Sequence, residues 1–145
     1  MPSPLDNQVK YLHSGYILFC KQVEHSEDGL IDIAGLFDIF VEQSFPAKTD
    51  CHWVIGFGTP YERRQYNGLI TVTNPDGEDV YSRDFQANDP AAIFKGHFIF
   101  KPDLTLTKEG LWSAKVTLSN WKDNSVWDLE RPFWATIQKD SVPDP

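Results

Sequence analysis

Alternation at a period of two residues is the feature that most restricts this chain. From Gly110 onward, Trp112, Ala114, Val116 and Leu118 fall on one parity, and Lys115, Thr117 and Ser119 fall on the other. Successive strand residues point to opposite faces of a sheet, so such a segment has one buried face and one wet face. A helix would instead space its apolar residues three and four apart. The alternation returns in short runs along the chain, separated by turn residues. That pattern predicts an all-β sandwich or barrel.

The first run is Gly15 to Val23, and the polar group Glu24 to Gly29 after it predicts a hairpin loop. In Leu30 to Glu42, the residues Ile31, Ile33, Phe37, Ile39 and Val41 share one parity, which predicts a single core-facing side. Gly35 inside that run predicts a bulge or a close backbone approach. His52 to Gly58 is apolar on both parities and predicts a central strand. Leu69 to Thr73 and Val80 to Phe85 flank Asn74-Pro75-Asp76-Gly77. There Pro75 presets φ, Asp76 is expected to bond its own backbone, and Gly77 takes the left-handed position. Gly96 to Leu106 puts Phe98, Phe100, Leu104 and Leu106 on one side. The closing run carries Trp127, Leu129, Phe133, Ala135 and Ile137 in phase, with Pro132 marking an edge or a bulge. Only Asp89 to Lys95 suits a helical turn. The total is about eight strands, as in an immunoglobulin-like antiparallel β-sandwich. The expected core is Ile31, Ile33, Phe37, Ile39, Val41, Trp112, Val116, Leu118, Phe133 and Ile137.

At 145 residues the chain fits a single domain spanning 1–145, with loosely ordered tails at 1–14 and 139–145. The formal net charge of −8, with basic residues only in short pairs such as Arg63-Arg64, argues against nucleic-acid binding. No run approaches the length of a membrane span, and the chain does not open with a secretory pattern. A cytoplasmic protein with two reduced thiols, Cys20 and Cys51, is the expectation; a bridge between them would require export by another route or a sequence that is already the mature form.

The segment Leu30-Ile31-Asp32-Ile33-Ala34-Gly35-Leu36-Phe37-Asp38, followed by Ser44-Phe45-Pro46-Ala47, resembles a family of small uncharacterised bacterial proteins. The matching pieces are Gly35-Leu36-Phe37-Asp38, Pro75-Asp76-Gly77 and Gly110-Leu111-Trp112, and the resemblance runs from about Tyr16 to Ile137. It implies an immunoglobulin-like fold in a domain of unknown function, and it supplies no catalytic residues to carry over. The tryptophans Trp121, Trp127 and Trp134 depart from the family pattern.

Catalytic and metal signatures are sparse. His13, His25, His52 and His97 are far apart in sequence, and no HExxH or CxxC occurs. Cys51 and His52 are adjacent, so on a strand they face opposite ways. There is no GxSxG elbow, and Gly56-Phe57-Gly58 is too short for a phosphate loop. Acid pairs such as Glu27-Asp28 and Glu78-Asp79 suit solvated turns. The expectation is therefore a non-enzyme with no cofactor and no metal. The candidate binding residues are Tyr61, Arg63, Arg64 and Tyr66, on a loop from Thr59 to Asn67, together with Trp134 on an outer sheet face. Tyrosine, tryptophan and arginine are the residue types enriched where binding energy concentrates. A protein-binding or assembly module with an unknown protein partner leads, leaving room for a homo-oligomer. A small-molecule sensor or sequestering protein is the alternative, and a hydrolase built from dispersed acids and histidines is a weaker one. Neither nucleic acid nor membrane is expected as a partner.

Overall fold

A computed structural model describes residues 10–11, 15–25, 31–56, 66–86, 93–94, 97–121, 124 and 126–138. The described residues are all-β, with no helix among them. The strands are β1 (Lys10–Tyr11), β2 (Tyr16–His25), β3 (Ile31–Phe37), β4 (Ile39–Glu42), β5 (Ala47–Lys48), β6 (His52–Gly56), β7 (Tyr66–Thr73), β8 (Asp79–Gln86), β9 (Ile93–Phe94), β10 (His97–Phe100), β11 (Thr105–Leu106), β12 (Gly110–Asn120) and β13 (Val126–Ile137). One large sheet runs β1-β13-β12-β7-β8, with β4 also paired to β13. A second runs β3-β2-β6-β10-β9, and β11 and β5 form a small third. The strands outnumber the expected eight because two long runs break and because four of the strands are two residues long. The helical turn expected at Asp89 to Lys95 meets strand β9 at Ile93–Phe94; its other residues lie outside the described ones.

The two large sheets share one core. Trp112, Ala114, Val116 and Leu118 of β12 are buried, as their parity predicts. Phe19 of β2 packs on Phe133 of β13 with ring centroids 5.3 Å apart and on Trp53 of β6 at 4.8 Å. The Trp112 indole N–H donates to the Lys108 carbonyl at 3.1 Å, so this large side chain is buried with its polar atom satisfied. Phe98, Phe100, Leu104 and Leu106 are all buried, although Phe98 and Phe100 belong to β10, Leu106 to β11 in a different sheet, and Leu104 to the link between them.

The run Leu30 to Glu42 departs from its expected single face. Its chain breaks at Asp38 and changes sheets: β3 pairs antiparallel with β2, whereas β4 pairs parallel with β13. The break reverses the parity. Phe37 remains partly buried against the core and Phe40 joins it, while Ile39 and Val41 turn to solvent. Ile31 and Ile33 are only half-buried, and Ile137, at the end of β13, is exposed. Six of the ten expected core residues are thus displaced outward to different degrees, for one local reason or because they sit at an edge. Arg131 meets the chain at the break. Its guanidinium donates to the Ile17 carbonyl at 2.5 Å, pairs with the Asp38 carboxylate, and lies 4.4 Å from the Phe19 ring centroid.

Three turn and glycine features follow from local chemistry. Gly77 takes φ +84° and donates to the Asn74 carbonyl at 3.0 Å, closing the β7–β8 hairpin. The side chain that organises this turn is Asn74, not Asp76: its Oδ1 accepts from the backbone N–H groups of Asp76 and Glu78. Asp76 instead pairs with Lys108. Gly35 has φ +72° and faces Lys21 so closely that an added Cβ would lie 2.9 Å from the Lys21 Cβ. The β2–β3 register runs through without a shift, so the close approach is the right account and the bulge is not.

Candidate functional site

The outer face of the β4-β13-β12 strip carries an apolar row. Register places Ile39 beside Trp134 and Trp134 beside Leu111. Their relative exposures are 49%, 55% and 47%, so half of each side chain meets water. Val41 extends the patch along β4, and Pro132 extends it along β13. The pairing of β12 with β13 is continuous through Pro132, so no bulge flips the phase of Trp134. Pro132 falls between the stretches of β13 that pair with β1 and with β4, where a missing N–H costs little. Among the described residues β4 pairs only with β13, so its other edge is open.

Carboxylates bracket this row. Glu109 accepts from the Thr136 hydroxyl and from the Ile137 N–H, both at 3.2 Å, which sets it beside Thr136 above the row. Glu130 accepts from the Ser113 hydroxyl at 2.8 Å below it. Neither carboxylate has a cation within ion-pair distance among the described residues; Lys115, which faces Glu130 in register, pairs with Asp128 at 3.6 Å.

A second feature lies inside the strand switch. A pocket of about 240 Å³ is lined by Lys21, Phe37, Phe40, Glu42, Asp50 and Cys51, among others. The Lys21 ammonium lies 4.9 Å from the Phe37 ring centroid, and the rings of Phe37 and Phe40 meet edge-on at 4.9 Å. Asp50 is held by Lys101 at 2.9 Å, and that bond and charge lower the Asp50 carboxyl below its ordinary range. Burial pushes the Cys51 thiol up to about 11, against a smaller opposing effect from the Trp53 indole. Such a thiol stays protonated near neutrality and is a poor nucleophile. Cys20 and Cys51 are both free and buried. Among the described residues no three His, Cys, Asp or Glu side chains converge as metal ligands.

Of the candidate binding residues, Trp134 is exposed on the outer sheet face, where its parity placed it. Tyr61, Arg63 and Arg64 lie outside the described residues. The backbone of Tyr66 belongs to β7 rather than to a loop, opposite Asn120 of β12. Trp134 stands opposite Leu111, nine residues away along the same strand. At strand rise that separates the two backbone positions by about 30 Å along the sheet. Ile39, Val41 and Leu111 were missed as surface residues. The signal for the first two was Phe40, a large aromatic off the parity of Phe37, which a break at Asp38 accommodates.

Residues 15–126 match the family model of DUF6941, a family of unknown function, and the chain belongs to that family. The match ends at the first residue of β13, so Trp134 and Pro132 lie beyond it. No curated protein matches the chain. No helix among the described residues is long and apolar enough to cross a membrane.

Proposed function

We propose that this chain is a non-enzymatic protein-binding module on an immunoglobulin-like framework, and that the outer row Ile39–Trp134–Leu111 is its contact surface. The observation that carries the reading is the row itself: three large apolar side chains, aligned across three adjacent strands and half open to water. Contiguous exposed apolar patches mark interaction sites more often than scattered single residues do. Tryptophan is the residue most enriched where binding energy concentrates.

The framework reading rests on the order of the crossings. From β6 in one sheet the chain passes to the β7–β8 hairpin in the other, returns through β9 and β10 to pair beside β6, and ends with β12 and β13 beside β7. These are Greek-key connections of the kind immunoglobulin-like sandwiches use. On this reading β2 is an extra strand between β3 and β6. The reading is tested by affinity capture with the wild-type protein and with a folded Trp134→Ser/Leu111→Ser variant. A protein held by the first and released by the second supports it; identical capture by both counts against it.

A second reading, binding of a small ligand in the Lys21–Phe37–Phe40 pocket, has one observation in its favour. Lys21 reaches over an aromatic wall with no carboxylate at ion-pair distance among the described residues. An anionic ligand with a flat apolar body would fit Lys21 and the two rings, with the Glu42 carboxylate of the same lining opposing it. A thermal-shift screen of small carboxylates against wild-type and Lys21→Met protein separates the two readings. Stabilisation of the wild type alone favours the pocket.

A further inference from the structure

The charges around the apolar row specify its occupant. On the outer-face positions of β12 and β13, with Glu109 just ahead of β12, the acids Glu109, Asp128 and Glu130 face a single cation, Lys115, which is spent on Asp128. Glu109 lies above the row and Glu130 below it, each held by hydrogen bonds from β12 or β13 and with no cation at ion-pair distance among the described residues. The nearby Asp38 is neutralised by Arg131. The row is thus an apolar strip between two carboxylates that no cation among the described residues neutralises, on a chain of net charge −8.

We infer that the partner is a different protein, presenting an extended apolar segment flanked on both sides by lysine or arginine. The inference rests on the binding reading above and adds the chemistry of the partner. Apolar side chains would cover Ile39, Trp134 and Leu111, and the flanking cations would reach Glu109 and Glu130. A second copy of this chain is disfavoured. A two-fold contact through this face brings the same patch against itself, and therefore like carboxylates against like. Juxtaposed like charges suppress a contact, more so between two strongly acidic chains.

The test uses three short synthetic peptides with the full-length protein: an Ile-Thr-Ile-Thr-Ile centre flanked by lysine pairs, the same centre flanked by glutamate pairs, and a lysine-flanked Ser-Thr-Ser-Thr-Ser centre. Titration calorimetry should show binding of the first alone. That binding should weaken about tenfold in Trp134→Ser, a loss typical of an aromatic anchor. It should also weaken in Glu109→Gln/Glu130→Gln and with added salt, because exposed charges are screened. Leu111→Ser repeats the apolar arm should the tryptophan variant fold poorly, with circular dichroism as the fold check. Equal binding of the glutamate-flanked peptide overturns the charge inference and leaves the binding face standing. So does sedimentation showing a dimer that Trp134→Ser dissolves. No peptide binding by a monomeric protein overturns both.

Discussion

Phe133 and Trp134 are adjacent aromatic residues with opposite environments. Phe133 is 1% exposed and meets Phe19, Phe40, Trp53 and Trp112. Trp134 is 55% exposed and has Ile39 and Leu111 as its cross-strand neighbours. The first belongs to a junction that both large sheets fill from opposite sides; the second belongs to a face that only one sheet supplies. An apolar residue is stabilising in the first setting because burial removes it from water. In the second, that gain is still available to whatever covers the face. The difference separates the residues that hold the fold from those that offer a contact, and substitutions should separate them too.

The largest effect is expected inside the junction. Trp112→Ala should lower unfolding free energy by about 3–5 kcal/mol, as large-to-small changes in a packed core do. Phe37→Ala, at a partly buried position, should cost less. Chemical denaturation of the two variants checks the order, and an equal cost would mean that the strand switch is packed as tightly as the core.

An intermediate effect is expected where a glycine admits a ring. Gly68 of β7 lies opposite Phe85 of β8, and a Cβ at Gly68 would run into the Phe85 ring. Gly56 and Tyr16 repeat the arrangement in the other sheet, and the Tyr16 hydroxyl there reaches the His97 Nε2. Gly68→Ala should therefore destabilise by about 1–3 kcal/mol, the usual cost of overpacking. A melting temperature unchanged from wild type would show that the Phe85 ring moves aside freely.

A smaller effect, confined to alkaline solution, is expected at Cys51. Its thiol has a folded-state pKa raised to about 11 by burial, from an ordinary value of 9.0. The folded form thus holds its proton more tightly than the unfolded chain. Stability from this group is complete below the unfolded pKa and is lost as pH rises toward the folded one. Denaturation midpoints should fall between about pH 9 and pH 11 in the wild type and fall less in Cys51→Ala. Parallel slopes for the two proteins would place the alkaline loss elsewhere.

The smallest effect on stability is expected on the outer face. Trp134→Ser should change unfolding free energy by no more than about 0.5 kcal/mol, as surface substitutions do. A loss as large as that of Trp112→Ala would make Trp134 part of the framework and remove it from the contact surface.

Much of the framework was legible because alternation is a local property. The parity of β12 and the β7–β8 turn could be read from a few residues each, and the outward face of Trp134 followed from Phe133. Neighbouring strands were not legible in the same way. Nothing within Leu30 to Glu42 states that β3 pairs with β2 and β4 with β13; the partners of both strands, and Arg131 that meets Asp38 at the exchange, lie elsewhere in the chain. Alternation alone therefore runs on through Asp38 and places Ile39 and Val41 in the core. The same long-range ignorance hid the contact row. Leu111 and Ile39 become neighbours of Trp134 only through register, which no single run encodes. The role of Asn74 was missed for a local reason, because Asn and Asp both make such side chain-to-backbone bonds and the two alternate in that turn.

Two exposed tryptophans allow the contact surface to be tested against an internal control. Trp121, at the end of β12 away from Leu111, is 58% exposed, almost the same as Trp134. Oxidative footprinting of the protein, alone and with the lysine-flanked peptide, compares the two in one sample. Protection of Trp134 with Ile39 and Leu111, and unchanged oxidation of Trp121, is the predicted result. Protection of Trp121 with Trp134 left fully reactive would contradict the assignment of the β4-β13-β12 face.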